Sequence, residues 1–154
     1  SGLMLFAKHG YAHARLDKQL QKKAIEKRYF ALVKGDGYLE PQGDIIAPIA
    51  RDEDSIITRR VAKGGKYAHT SYKIVESYGN IHLVDICLHT GRTHQIRVHM
   101  EHIGHPIVGD AMYGTRNKPY TRQCLHASEL TFVPYGKDEA ITITCEVGDN
   151  FGRE

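Results

Sequence analysis

The stretch between Ile81 and Pro106 constrains this chain most, because its hydrophobic period changes once and the helical segment after the change is marked at both ends. Residues 81–88 are an apolar-rich run that reads as a strand, and Gly91 supplies a tight turn. Ile96, Met100 and Ile103 then recur at i, i+4 and i+7, one buried stripe of a short helix. Thr93 stands where an N-cap belongs, Gly104 where a C′ residue belongs, and Pro106 forbids continuation. Free N–H groups at the helix start, with Arg92 and His94 at the same end, favour a phosphate or carboxylate partner. Arg97 falls beside the apolar stripe, so its stem is expected to be partly covered and its guanidinium to seek an anion. Glu101 is the local choice, but Arg preceding Glu is the weaker order and such pairs contribute only about 0.2–0.5 kcal/mol. On spacing alone both readings of Arg97 stay open.

Around this unit the chain reads mostly as strands in hairpin order. Residues 2–7 look like a short apolar strand, and residues 11–23 like an amphipathic helix with Arg15, Lys18, Lys22 and Lys23 outside. Residues 27–34 alternate with Tyr29, Ala31 and Val33 on one side and Arg28, Phe30 and Leu32 on the other, a strand packed on both faces. Pro41, Gly43 and Pro48 make residues 39–48 irregular or an edge. Residues 58–61 and 68–76 are further strands, with Lys63-Gly64-Gly65-Lys66 as the hairpin connection between them. The stretch 115–123, with Arg116, Lys118 and Arg122, is an exposed basic loop, and residues 125–132 and 140–147 return as late strands. Many strands with two helices, without strand–helix alternation, predict an α+β fold: a mixed, largely antiparallel sheet with a few flanking helices.

Composition excludes several classes of function. A chain of 154 residues is long enough for a single domain with a real core. Cys87, Cys124 and Cys145 are odd in number and widely spaced, which argues against a disulfide framework or thiolate zinc site and fits a reducing, cytoplasmic setting. No apolar run approaches the roughly 20 residues of a membrane helix. Asp44, Asp52, Glu53 and Asp54 lie in a polar stretch with nothing to fix their separation, so no metal or acid–base site is expected there. His94, His99, His102 and His105 resemble a metal cluster by count, yet no His-Glu-x-x-His is present, and no metal is expected there either.

Four ordered pieces carry a resemblance. Gly91-Arg92-Thr93-His94-Gln95-Ile96-Arg97-Val98-His99 is similar to the signature segment of the RluA-type family of RNA pseudouridine synthases. Ser1-Gly2-Leu3-Met4-Leu5-Phe6-Ala7-Lys8, Glu26-Lys27-Arg28-Tyr29-Phe30-Ala31-Leu32-Val33 and Leu125-His126-Ala127 fall in that family's order. So does Gly104-His105-Pro106-Ile107-Val108-Gly109-Asp110-Ala111-Met112-Tyr113-Gly114, which resembles the loop after the signature helix.

The resemblance implies a bent sheet crossed by a cleft, and isomerisation of uridine in RNA to pseudouridine without an external cofactor. It implies that Arg97 holds a catalytic Asp, that Tyr29 stacks on the flipped uracil, and that Leu125 packs under the base. Arg92, His94 and Gln95 are candidates for holding the adjacent RNA backbone. Ribosomal RNA is the first expected target and transfer RNA the second, with no obligate protein partner inferred. The family's Asp lies in a His-Arg-Leu-Asp segment that would precede Ser1, so residues 1–154 are expected to be the C-terminal portion of the catalytic domain, N-terminally truncated and inactive alone. Ala14-Arg15-Leu16-Asp17 imitates that segment, but it lies in a helical pattern, and Asp17 is read as a solvated helix residue. The alternative is a module that binds RNA without chemistry; a histidine-based metal hydrolase is a distant third.

Overall fold

The computed structural model describes residues 1–115, 118–148 and 151–152; Arg116 of the basic loop lies outside them. Strands β1 (Glu26–Lys34), β2 (Gln42–Ile46), β5 (His69–Tyr78), β6 (Ile81–Leu88), β7 (Leu125–Phe132) and β8 (Ile141–Thr144) form one sheet in the order β2-β5-β6-β1-β7-β8. Every neighbouring pair in it is antiparallel. Strands β3 (Ile49–Arg51) and β4 (Arg59–Val61) form a separate two-stranded sheet. Helices α1 (Gly10–Gln21) and α2 (Gln95–His102) flank these sheets.

The core explains why the central strands sit where they do. Ala31 and Val33 of β1 and Val84 and Ile86 of β6 are fully buried, joined from α2 by Ile96 and Met100 and from the following loop by Ile107. The predicted stripe of α2 is thus its buried face, with Ile103 packed against the same cluster. Gly104 ends the helix at φ +84, a backbone conformation that suits glycine. Its N–H bonds to the Glu101 carbonyl at 2.9 Å and that of His105 to the Met100 carbonyl at 2.9 Å, closing the helix with the paired bonds of a Schellman turn.

Three expectations are corrected. Residues 2–7 do not form a strand: Ala127 donates to the Ser1 carbonyl and Leu3 to the Ala127 carbonyl, but the chain then leaves, with Met4 and Phe6 exposed. Pairing stops because β8 occupies the outer edge of β7 from Glu129 onward, leaving only the edge near Ala127 for the terminus. The Lys63–Lys66 loop does not join β4 to β5 as a hairpin, since β4 pairs with β3, and Lys66 returns to bridge Ile49. The cap of α2 is His94 rather than Thr93.

Candidate functional site

Tyr29 owes its position to a bulge. Opposite β1 the register of β7 jumps, so that Arg28 faces Glu129 while Tyr29 faces Ala127, and Ser128 is the extra residue. Such a bulge bends the strand and re-aims the neighbouring side chain. Tyr29 is half-buried and lines a hollow of about 500 Å³ together with Ser1, Leu3, Lys27 and Ala127. Burial pushes its phenol above the ordinary tyrosine range, so it stays protonated at neutral pH. Among the described residues, the carboxylates that line this hollow are Asp17 and Glu129. Asp17 is an exposed α1 residue, as expected, and accepts a hydrogen bond from Gln21 Nε2 at 2.8 Å. Leu125, at the start of β7, packs against the main core beside β1.

Arg97 has a different partner from either one expected. Its Nε donates to Oδ2 of Asp110 at 2.7 Å and its Nη2 to Oδ1 at 2.7 Å, a two-point pair whose side chains are 12% and 0% exposed. Glu101 takes no part. The Asp110 carboxylate also accepts the N–H groups of Met112 and Tyr113 at 2.9 and 3.2 Å. Burial raises its pKa, but Arg97 and those N–H groups outweigh burial and hold it below the ordinary carboxylate range. The Arg97 guanidinium lies 5.0 Å from the centre of the Tyr113 ring, a cation–π contact. Bonding to Asp110 raises the Arg97 pKa further, so this cation is permanent.

The residues before Arg97 divide into a cap, a clamp and a surface cation. His94 adopts φ 56 and ψ 20, a conformation uncommon outside glycine, although His, Asn and Asp are enriched there. The Tyr113 hydroxyl accepts the Arg59 N–H at 2.9 Å and lies 2.8 Å from Nδ1 of His94, so its own proton is available to that nitrogen. Burial, and then Arg97 and Arg59, lower the His94 pKa, which makes it a neutral ring rather than a cation. Gln95 is not a surface contact. It is 2% exposed, its Oε1 accepts from Thr90 Oγ1 and the Arg92 N–H, and its Nε2 donates to the His69 carbonyl and Thr70 Oγ1. Its amide is fully engaged inside the protein, so it organises the turn from within rather than standing at the surface as expected.

Arg92 remains exposed, with Nε donating to the Tyr67 carbonyl at 2.9 Å. It lines a hollow of about 550 Å³ with Arg51, Arg59 and Lys66, and among the described residues no carboxylate lines that hollow. Arg51 and Arg59 are cross-strand partners on β3 and β4. Sequence reasoning missed both, because β3 is hidden in a polar stretch. Gly65 lets the Lys66 loop lie against β3: a Cβ there would sit 2.6 Å from the Ile49 carbonyl carbon. This basic hollow and the Tyr29 hollow are separate, and Arg97 lines neither.

The histidines of α2 and its flanks do not converge. His99 is buried between Thr70 Oγ1 and the Ala47 carbonyl, and His105 bonds to the Lys34 carbonyl. Among the described residues, the group that could hold an ion is Asp44, His69 and His89. Asp44 lies on β2, an edge strand, which is one of the two readings of residues 39–48, so its position is fixed although nothing is expected to fix it.

A family model described as RNA pseudouridylate synthase matches residues 1–102. The chain is 44% identical over 143 residues to the uncharacterized RNA pseudouridine synthase YhcT of Bacillus subtilis (strain 168), covering 92% of this chain and 47% of that protein. It is 41% identical over 147 residues to the ribosomal large subunit pseudouridine synthase D of Zymomonas mobilis, covering 86% and 45%. The chain thus spans about half the length of the curated relatives it matches. Human RNA Pseudouridylate Synthase Domain Containing 1 superposes with a TM-score of 0.75 at 28% identity, covering 94% of this chain and 63% of that one. Human RNA Pseudouridylate Synthase Domain Containing 4 shares the fold, with a TM-score of 0.70 at 19% identity over 93% and 66% of the two chains.

Proposed function

Because the chain belongs to the RluA-type family of RNA pseudouridine synthases, we propose that the whole protein isomerises uridine to pseudouridine in structured RNA, ribosomal RNA before transfer RNA. The observation that carries this reading is the fixed guanidinium of Arg97. Asp110 takes Nε and Nη2, and Tyr113 covers one face, so the Nη1 edge is held in one orientation for a second carboxylate. That second carboxylate is the family's catalytic Asp. Tyr29, held on β1, stacks on the uracil and keeps its phenolic proton for transfer, and Leu125 packs under the base. No cofactor is needed, and the wide spacing of Cys87, Cys124 and Cys145 suits a reducing cytoplasm.

The carboxylate that meets Arg97 among the described residues is Asp110, and its oxygens are already shared with two backbone N–H groups. The 154-residue chain assayed alone is therefore expected to bind RNA without turnover, and a chain carrying the His-Arg-Leu-Asp segment ahead of Ser1 to convert it. Carbodiimide mapping of RNA incubated with each chain tests this. Pseudouridine made by the shorter chain would place the nucleophile elsewhere, with Asp17 the first residue to substitute. No conversion by the longer chain on any RNA would favour the RNA-binding module without chemistry.

The basic hollow supplies the sequence-independent part of binding. Arg51 and Arg59 on the small sheet, with Lys66 and Arg92 on adjoining turns, present positive charge suited to successive phosphates of an unstacked strand. Arg51→Ala and Arg92→Ala are each expected to lower the slope of log K against log salt by about one. They should weaken different RNA sequences equally. An unchanged salt slope in the double variant would remove this hollow from the interface.

A further inference from the structure

Three donors from three chain segments meet at one end of the large sheet. Asp44 on β2 lies opposite Ser71 on β5. His69, two residues before Ser71, neighbours His89, whose N–H donates to the His69 carbonyl at 3.1 Å. Alternation puts Asp44, His69, Ser71 and His89 on the same face. There Nε2 of His69 lies 2.7 Å from Oδ1 of Asp44, and the Ser71 hydroxyl lies 2.6 Å from that oxygen and 2.5 Å from Nε2 of His89. The two imidazoles stack with centroids 4.0 Å apart and planes inclined by 22°.

We propose that Asp44, His69 and His89 form a binding site for a divalent transition-metal ion of the zinc type. One ligand atom from each residue already lies within 4.8 Å of the others. Tetrahedral zinc with bonds of about 2.0–2.2 Å needs donors roughly 3.3–3.6 Å apart. The histidine–carboxylate contact must therefore open, and the widest pair close, by on the order of 1 Å, which rotation of the side chains supplies. Two imidazoles with one carboxylate suit zinc and exclude the oxygen-only preference of magnesium or calcium. The Ser71 hydroxyl, 2.6 Å from Oδ1 of Asp44 and 2.5 Å from Nε2 of His89, holds these two ligand atoms near each other before an ion arrives. Cys87 shares this face two residues before His89, but the donors that lie within reach of one another are those of Asp44, His69 and His89.

Entry from solvent is open, because the Asp44 side chain is 59% exposed and that of His69 22%. Three protein donors leave the fourth position to water. The role that fits is structural: the His69 N–H donates to Thr90 Oγ1, and His89 leads directly into the turn that carries Arg92. An ion would tie the edge strand β2 to that turn. The proposal is independent of the RNA reading.

Zinc chloride titrated calorimetrically into the chelator-treated chain, and cobalt chloride followed by visible absorption, test it. One equivalent is expected, with the intense cobalt bands of low-coordinate geometry and a rise in Tm in excess zinc. His69→Asn/His89→Asn should abolish that equivalent and the Tm rise, Asp44→Asn should weaken binding at least tenfold, and His102→Asn should leave both unchanged. Circular dichroism confirms that each variant is folded, and His89→Gln, a single exposed change, replaces the double variant if that one is not. A parent that takes up no equivalent, or an equivalent that survives in the His69/His89 variant, would show a hydrogen-bonded cluster only and overturn the assignment.

Discussion

Asp110→Ala is expected to destabilise the fold by about 3–5 kcal/mol, the usual cost of removing one partner of a buried ion pair. It strands a guanidinium that is 12% exposed and also leaves the Met112 and Tyr113 N–H groups without their acceptor. For a chain of this length that corresponds to roughly 6–20 °C in Tm. Asp110→Asn keeps an acceptor for the N–H groups but not the opposing charge, so it should fall between. Combining Arg97→Met with Asp110→Asn should cost less than the sum of the two, because the stranded charge is gone. Urea unfolding of the parent and the four variants measures all of this, and a loss below about 1 kcal/mol for Asp110→Ala would mean that the pair is solvated.

The same carboxylate has a pH signature of determinable sign. Its folded pKa lies below its unfolded value, so its contribution is complete above the ordinary carboxylate range, near about 4, and is lost as pH falls through the lowered folded value. His94 and His99 act earlier. Burial lowers both, so the unfolded chain takes up their protons first and stability begins to fall once pH drops below about 6.5. The acid limb should therefore have two steps, with Asp110→Asn flattening only the lower one.

Signals local to the chain are legible in the sequence, and contacts that depend on register are not. Gly104 and the apolar stripe of α2 announce its end and its buried face, since both are properties of a few consecutive residues. Its start lies one residue beyond the expected Thr93 because the buried Gln95 amide organises the turn and lets His94 take a left-handed conformation, work a Thr93 cap would otherwise do. The need of Arg97 for an anion is readable, but Asp110 is thirteen positions on and reaches it only because the loop after α2 folds back. Arg51 and Arg59 meet across β3 and β4, a pairing invisible without the small sheet. Asp44, His69 and His89 belong to three segments, and only the β2–β5 and β5–β6 registers bring them together.

Arg97 in a chain that includes the catalytic segment separates chemistry from binding. If its Nη1 edge holds the catalytic carboxylate, Arg97→Ala leaves that carboxylate in a partly covered cleft without its cation, and its pKa should rise. The single-turnover rate should then fall by orders of magnitude, and the acid limb of the pH–rate profile should move to higher pH. RNA affinity should fall far less, since the basic hollow lined by Arg51, Arg59, Lys66 and Arg92 is left intact. Arg97→Lys should recover only part of the rate, because an ammonium cannot serve Asp110 at two points and a second carboxylate together. Asp110→Asn gives the complementary result: the cation remains but loses its clamp, so the rate should drop by less than in Arg97→Ala. All rates are compared at one salt concentration and at a temperature where every variant is folded, which the expected loss of stability makes necessary. An Arg97→Ala chain that binds RNA poorly yet reacts at the parent rate once saturated would make Arg97 a backbone contact and leave the Asp110 pair a purely structural clamp.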